Sequence, residues 1–242
     1  MALFDRFKKN DESEMSFIDH LEELRGTIIR SLFSILVTSI IIFIYRDWVM
    51  DYVITGPLDP NFITYRAFCR LSHFLHLGDS LCMPPVKVSL QSTTFGGQFL
   101  SSISMAFVGG LIVAFPYIFY QIWAFVKPAL KEKEIKNTRF MIFWVSFFFF
   151  MGAAFGFFVL GPFTFNFLAG FQLGSRGAIT TIPTFADYLD NLTNLILGCG
   201  IAFELPVIVF LLTKIGFITP QFLSTTRKYA VVIILLVAAF IT

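Results

Sequence analysis

The chain has 242 residues, of which 56% are hydrophobic and 14% are charged, against roughly a quarter charged in an average soluble domain. This balance argues against a water-soluble globular protein. The formal net charge is +2, and no Lys/Arg block is interleaved with aromatic residues, so the composition also argues against a nucleic-acid-binding protein.

The first 15 residues are predicted to form a polar amino-terminal tail, followed by a single transmembrane domain over residues 16–242. The segment up to residue 25 lacks the apolar centre of a cleavable signal peptide, so we expect the mature chain to keep it. Ser16 is a candidate N-cap for a helix whose apolar face lies on the membrane surface. That face carries Phe17, Leu21, Leu24 and Ile28.

The opposite face of this helix is acidic and is predicted to point toward the cytosol, with Asp19, Glu22 and Glu23. Acids beside an inner leaflet run against the usual enrichment of Lys and Arg there, which indicates a site for a cationic ligand. A solvated face with an ion pair to Arg25 is the alternative.

Apolar runs of about 20 residues recur along the chain, and a helix of that length crosses a hydrocarbon core roughly 30 Å thick. We predict spans at about 27–45, 99–120, 140–160, 192–213 and 229–242. The fifth run reaches the end of the chain after about 21 Å of helix, short of a full crossing. The run Phe147–Phe150, in a chain with 33 Phe residues, is interpreted as lipid-facing.

The distribution of Lys and Arg predicts the orientation, because basic residues near span ends are retained in the cytoplasm. Most of the 18 basic residues fall on the side that holds the amino terminus, which is therefore predicted to be cytoplasmic. Loops 46–98 and 161–191 are then outside. Turn signals in the longer loop predict a folded cap with short helices.

The inventory of reactive side chains argues against an enzyme. His20, His73 and His76 all lie outside the predicted spans, so an intramembrane Ser/His pair and a His-Glu-x-x-His zinc motif are missing. No Gly-rich phosphate loop is visible, and we predict no cofactor and no metal.

Two cysteines of the outer loop, Cys69 and Cys82, lie close to His73 and His76 in sequence. The spacing does not match common metal-site patterns, and an oxidising compartment favours a disulfide between Cys69 and Cys82. Free thiols and a metal site are the alternatives. Cys199 lies in a span and is interpreted as a packing residue.

Glu204 lies deep in the fourth predicted span. A carboxyl group at that depth costs on the order of 2.5–3.5 kcal/mol, so it should face protein, water or a partner. A carboxyl bonded to a neighbouring helix, or to carbonyls freed by Pro206, is the alternative. At the inner loop, Glu134 lies close to Lys131, Lys133 and Lys136 in sequence, where structural ion pairing is the default interpretation.

Several motifs follow one another along the chain in an order that resembles the TatC family, the membrane receptor subunit of the twin-arginine protein translocase. The resemblance covers about 17–242 and rests on His20-Leu-Glu-Glu-Leu-Arg25, Gly56-Pro-Leu58, the segment Pro116–Leu130 followed by Glu134, Phe203-Glu-Leu-Pro206, Gly216-Phe-Ile-Thr-Pro220 and Arg227-Lys-Tyr229. It implies an all-α, six-span fold with a concave groove, of which this chain ends within span five.

The resemblance also implies a non-enzymatic receptor in the bacterial cytoplasmic (inner) membrane. Its expected ligands are the twin-arginine signal peptides of folded precursor proteins, and its expected partners are TatA- and TatB-type subunits and other copies of itself. A proton-coupled small-solute secondary transporter, using Glu204 in a helix broken near Pro206, is the alternative function.

The resemblance places signal-peptide binding on Glu23 and Glu134, with Phe125 and Leu130 nearby and Arg25 orienting the acids. Two carboxylates suit two guanidinium groups, since each pair forms a bidentate, charge-assisted contact. It assigns partner contact to Glu204 and, at the end of the chain, Thr242. The remaining matches are structural prolines, Pro57, Pro116 and Pro206, whereas Thr27 stands where some relatives have a second basic residue.

Overall fold

The computed structural model describes residues 17–59, 61–76, 78, 82, 89–127, 141–171 and 182–214, together with positions 228, 232, 235 and 236. Seven α-helices account for most of this part of the chain: α1 (Phe17–Ile44), α2 (Arg46–Val49), α3 (Ile63–Phe74), α4 (Gly97–Val126), α5 (Met141–Phe155), α6 (Gly161–Gly170) and α7 (Phe185–Lys214). Shorter turns of π-helix and 3-10 helix join them at Met50–Ile54, Gly56–Leu58 and Gly156–Leu160.

Among the described residues, four helical rods are long and apolar enough to cross a membrane, and each overlaps one of the first four predicted spans. They run over His20–Ile44, Gly97–Val126, Met141–Gly170 and Phe185–Leu211. The fifth predicted span, 229–242, lies almost wholly outside the described residues. The amino-terminal helix differs from the prediction, because α1 runs without a break from Phe17 to Ile44 instead of turning from the membrane surface into a span.

The third rod continues ten residues beyond the predicted end of its span. Pro162 lies at the first turn of α6, and the π-helical turn Gly156–Leu160 joins α5 to α6. The helical rod therefore continues into the predicted outer loop 161–191.

The fourth rod begins at Phe185, seven residues before the predicted span. Thr184 caps it, because the backbone N–H of Asp187 donates to Thr184 Oγ1 at 3.1 Å and that hydroxyl donates to Asp187 Oδ2 at 2.6 Å. This arrangement satisfies helix N–H groups that have no partner within the helix. This helix therefore begins within the predicted outer loop 161–191.

Helix α1 packs mainly along α4, and small residues form the contact. The Thr38 hydroxyl lies 2.9 Å from the Gly110 carbonyl oxygen. A Cβ atom on Gly110 would lie 2.8 Å from the backbone nitrogen of Ser39, too close for any other residue. Small side chains allow membrane helices to approach in this way, because lipid removes the hydrophobic driving force between them.

Helices α5 and α7 form the second close pair. A Cβ on Gly152 would lie 2.5 Å from the Cys199 carbonyl oxygen, and one on Gly200 would lie 2.8 Å from the Phe149 ring. Phe149 is 1% exposed and stacks on Phe115 with ring centroids 3.6 Å apart. The interpretation of Phe147–Phe150 as lipid-facing is therefore wrong for Phe149, which is a core residue.

The cap, defined here as residues 46–96, contains the short helices that the loop composition predicts. Three of its contacts reach buried carbonyl oxygens: Tyr188 Oη donates to Ile54 O at 2.5 Å, Thr64 Oγ1 to Phe158 O at 2.5 Å and Tyr65 Oη to Pro57 O at 2.8 Å. Beneath the cap lies the main cluster of buried apolar side chains, Ile54, Met105, Phe165, Tyr188, Leu189 and Leu192. The cap is thus fixed to the carboxyl-terminal part of the third rod and the start of α7.

Candidate functional site

The end of the bundle at which α1 begins brings together residues that are far apart in sequence. The His20 ring, on α1, stacks on the Phe125 ring, near the end of α4, with centroids 4.3 Å apart and planes inclined by 21°. Glu23 lies one turn after His20 and therefore shares its face of the helix. We call the group His20, Glu23 and Phe125 the amino-terminal site.

Glu23 points into the bundle. Its side chain is half-buried, and Oε2 is buried with no hydrogen-bond partner among the described residues. Glu22, the next residue back, is exposed, and Leu21 and Ile28 are 48% and 49% exposed. The predicted orientation, with Glu23 facing the cytosol beside Glu22, is wrong because α4 packs against the polar face of α1.

Thr27 continues the buried face of α1 and is 6% exposed. A long basic side chain at this position would point into the contact with α4. Arg25 lies on the exposed face, and no salt bridge joins it to another residue of the described segments. Glu134 and Leu130 lie outside the described residues, as does Thr242.

Glu204 lies in the middle of α7 and is 6% exposed. Its carboxyl group approaches the backbone of Phe149, yet neither oxygen has a hydrogen-bond partner within the part of the chain that is described. Ile201 and Ile208, one turn before and one turn after it, are 60% and 45% exposed, so the burial is specific to Glu204. The carboxyl group therefore faces protein and has unused bonding capacity among the described residues.

The three structural prolines occupy different kinds of position. Pro116 and Pro206 lie inside α4 and α7, where each removes one backbone hydrogen bond and frees a carbonyl four residues earlier. Pro57 lies in the 3-10 turn Gly56–Leu58, is fully buried and accepts the hydrogen bond from Tyr65. Pro57 thus belongs to the attachment of the cap.

Cys69 and Cys82 are joined by a disulfide, with their Cα atoms 4.4 Å apart. Cys69 lies on α3, and Cys82 follows in the loop after it. Cys199 is half-buried at the contact between α5 and α7. The disulfide matches the pairing expected for Cys69 and Cys82, and the position of Cys199 matches its expected packing role.

An apolar cleft of about 510 Å³ runs between α1 and α4. It lies further along the same two helices that carry Glu23 and Phe125. Its walls are almost entirely apolar, apart from Ser39, whose hydroxyl is buried without a hydrogen-bond partner among described residues. The lining side chains include Leu32, Leu36, Ile40, Phe43 and Phe107.

Two features of the site and its scaffold could have been predicted from the sequence but were not. The spacing of His20, Glu23 and Thr27, at i, i+3 and i+7, marks one helical face and would have placed all three against a neighbouring helix. Thr184-Phe-Ala-Asp187 has the spacing of a capping box and would have placed the start of α7. No local signal indicated that Tyr188 reaches Ile54, which is 134 positions away.

Four membrane-length helices with a buried acid at one end and another in mid-span define a multi-pass helical membrane protein, as the sequence predicted. The family model described as Sec-independent protein translocase protein (TatC) matches residues 19–242. The chain belongs to the TatC family. This membership favours a translocase component over the secondary transporter considered as an alternative, and the family is not one of known enzymes.

Curated relatives and solved structures resemble the chain over nearly its whole length. The Sec-independent protein translocase protein TatC of Blattabacterium sp. subsp. Periplaneta americana is 37% identical over 235 residues, 97% of this chain and 88% of the relative. The TatC protein of Halalkalibacterium halodurans is 33% identical, covering 96% and 81%. A crystal structure of the twin-arginine translocase receptor TatC superposes with a TM-score of 0.68 at 28% identity, covering 92% of this chain and 87% of that one.

Proposed function

We propose that the chain is the receptor subunit of a twin-arginine protein translocase and binds the arginine pair of signal peptides at the amino-terminal site. The observation that carries this proposal is the buried Oε2 of Glu23, which has no hydrogen-bond partner among the described residues. Leaving a buried acceptor unpaired costs about 1–3 kcal/mol, more for a charged group, and a bound guanidinium would remove that cost. The similarity of the chain to a solved structure of a twin-arginine translocase receptor also supports the proposal.

In this proposal Glu23 and Glu134 each accept one guanidinium group. Phe125, whose ring is held by His20, offers a flat face on which an arginine can stack. Lysine cannot reproduce the bidentate, planar contact, which accounts for a preference for arginine. Leu130 lies near this group in sequence, and Arg25 is assigned the role of orienting the acids.

The apolar segment that follows the arginine pair packs in the cleft between α1 and α4. From Glu23 to Leu32 the helix rises about 14 Å, a separation that about four residues of extended peptide can span. The cleft is apolar on both walls, as a hydrophobic peptide segment requires.

Glu204 is proposed to contact a helix of a TatA- or TatB-type subunit, with Thr242 in the same partner-contact region. A buried carboxyl group whose two oxygens have no hydrogen-bond partner within the described segments can bond to a polar group on a partner helix in lipid. The amino terminus is proposed to be cytoplasmic and the membrane to be the bacterial inner membrane, in agreement with the charge distribution. The protein acts without an enzymatic step or cofactor and assembles with further copies of itself.

Photo-crosslinking of a twin-arginine signal peptide, with the crosslinker beside the arginines, tests the proposal. Loss of one charge-assisted contact, about 1.5–3 kcal/mol, predicts about 10- to 150-fold weaker binding for Glu23→Ala. Glu22→Ala is the matched control, because Glu22 is an exposed acid on the next position, and should crosslink like the parent. Unchanged crosslinking in the Glu23→Ala/Glu134→Ala double variant would remove the proposal.

A further inference from the structure

Three side chains with metal-binding atoms converge in the cap, away from the amino-terminal site. Cys69 and His73 are four residues apart on α3 and therefore project from one face of that helix. The disulfide brings Cys82 to the same face from the following loop. The ligand atoms of Cys69, His73 and Cys82 all lie within 4.8 Å of one another.

The distance between Cys82 and His73 suits a tetrahedral metal ion, whereas the two sulfur atoms, which are bonded to each other in the disulfide, must separate to bind it. With Zn–S bonds of about 2.3 Å and Zn–N bonds of about 2.0–2.1 Å, sulfur and nitrogen ligands lie about 3.6 Å apart. Cys82 Sγ lies 3.9 Å from His73 Nε2, close to this value without movement of the helix. His73 is exposed and the two cysteines are half-buried, so an ion can enter from solvent.

We propose that Cys69, His73 and Cys82 form a redox-gated site for a thiolate-binding transition metal such as Zn²⁺. In the oxidised protein both sulfurs belong to the disulfide, and neither is a thiolate ligand. Reduction by an external dithiol breaks the Cys69–Cys82 bond, places a proton on each sulfur and converts the dithiol to its own disulfide. Zn²⁺ then displaces both thiol protons and takes neutral His73 as its third ligand, with water in the fourth position.

The sequence spacing alone argued against a metal site, because the usual pairs of closely spaced cysteines are missing. The structure supplies a different arrangement, with a Cys–His pair one helical turn apart and the second cysteine returned to them by the loop. Formation of the disulfide and binding of the metal are mutually exclusive, since both use the same two sulfur atoms. The site would therefore report the redox state of the compartment that the cap faces.

The test uses the whole chain in detergent with Cys199→Ala, so that the two cap thiols are its only thiols. The protein is reduced with a phosphine, freed of reductant without oxygen and titrated with Co²⁺, whose sulfur-to-metal absorption bands report thiolate ligation. We expect one Co²⁺ per reduced chain, displacement of it by Zn²⁺, and no such bands in the oxidised protein.

His73→Asn and His76→Asn form a matched pair of variants. Removal of a direct ligand should weaken Co²⁺ binding at least about 10-fold, the smallest loss typical of outer-shell partners. His76 has a φ of 56°, which Asn tolerates, and His76→Asn should bind like the parent. Thiol alkylation is the second readout: Zn²⁺ should slow it in the parent and not in His73→Asn.

Absence of thiolate bands in the reduced parent would overturn the proposal. Equal Co²⁺ affinities of His73→Asn and His76→Asn would also overturn it, because the histidine would then play no part in the site.

Discussion

The amino-terminal site and the cap, at opposite ends of the bundle, are held together in different ways. At the cap, the hydroxyl groups of Thr64 and Tyr188 donate to carbonyl oxygens of distant segments, and that of Tyr65 donates to Pro57 within the cap. At the amino-terminal site, the described contact is a ring stack, and an oxygen of Glu23 stays buried without a partner among the described residues. The cap therefore contributes stability, whereas the amino-terminal site retains bonding capacity for a ligand.

The comparison predicts that changes at the cap affect stability and leave peptide binding intact. Leu192 is 1% exposed in the cluster beneath the cap, and Leu192→Ala should lower the free energy of unfolding by about 2–5 kcal/mol. Ile201→Ala, at a 60% exposed position of the same helix, is the control. Thermal unfolding in detergent measures both, and equal losses would show that the cluster is not a core.

Glu204 tests the region between the two ends. Glu204→Ala should weaken copurification of TatA- or TatB-type subunits about 3- to 20-fold, because one polar contact between helices in lipid is worth about 0.6–1.7 kcal/mol. Glu204→Gln keeps an acceptor and should retain most of the association. Crosslinking of the signal peptide should stay unchanged in both. A loss of peptide crosslinking equal to that of Glu23→Ala would contradict the separate roles proposed for Glu204 and the amino-terminal site.

Substitution of His20 tests whether its ring stack on Phe125 contributes to peptide binding at the amino-terminal site. His20→Ala removes the stack on Phe125, worth about 0.5–1.5 kcal/mol, and should weaken peptide binding about 2- to 13-fold while His20→Phe restores it. Leu21→Ala, at the exposed neighbouring position, serves as the control. Peptide titration measures the effect. If His20→Ala binds the peptide like the parent, the ring stack contributes to helix packing and not to peptide binding.

The smallest expected effect is that of Tyr65→Phe in the cap. Loss of the hydrogen bond to Pro57 should cost about 0.5–1.5 kcal/mol. Burial raises the pKa of Tyr65 above its usual value of 10.0, so its contribution is complete below pH 10 and is lost as the pH rises through the folded-state pKa. Raising the pH above 10 should lower the thermal unfolding temperature of the parent more than that of Tyr65→Phe. Identical pH profiles of the two proteins would contradict this.

The helices were predictable from the sequence where apolar runs are bounded by charge, as for α1 and α4. The limits of the third and fourth rods were not, because Gly161-Pro162 and the acids Asp187 and Asp190 interrupt the hydropathy without interrupting the helix. Hydropathy reports the preference of a segment for lipid, whereas capping and the position of a proline within the first turn decide where a helix begins.

Within the candidate site, the family resemblance pointed to Glu23 and Phe125 but gave no direction for the Glu23 side chain. Two neighbouring acids look alike in a sequence, and only the packing of α4 turns Glu23 inward and leaves Glu22 exposed. The burial of Glu204 followed from the cost of a carboxyl group in lipid. The contact between Tyr188 and Ile54 depends on tertiary structure and has no local signal.

The central claim is that the carboxylate of Glu23, whose Oε2 is unpartnered in the part of the chain that is described, recognises arginine. The most direct test compares the affinities of one signal peptide carrying Arg-Arg or Lys-Lys. The parent and Glu22→Gln should prefer the arginine peptide about 10- to 150-fold. Glu23→Gln, which keeps the size of the side chain and removes its charge, should lose most of that preference. A preference that is equal in Glu23→Gln and in the parent would contradict the account.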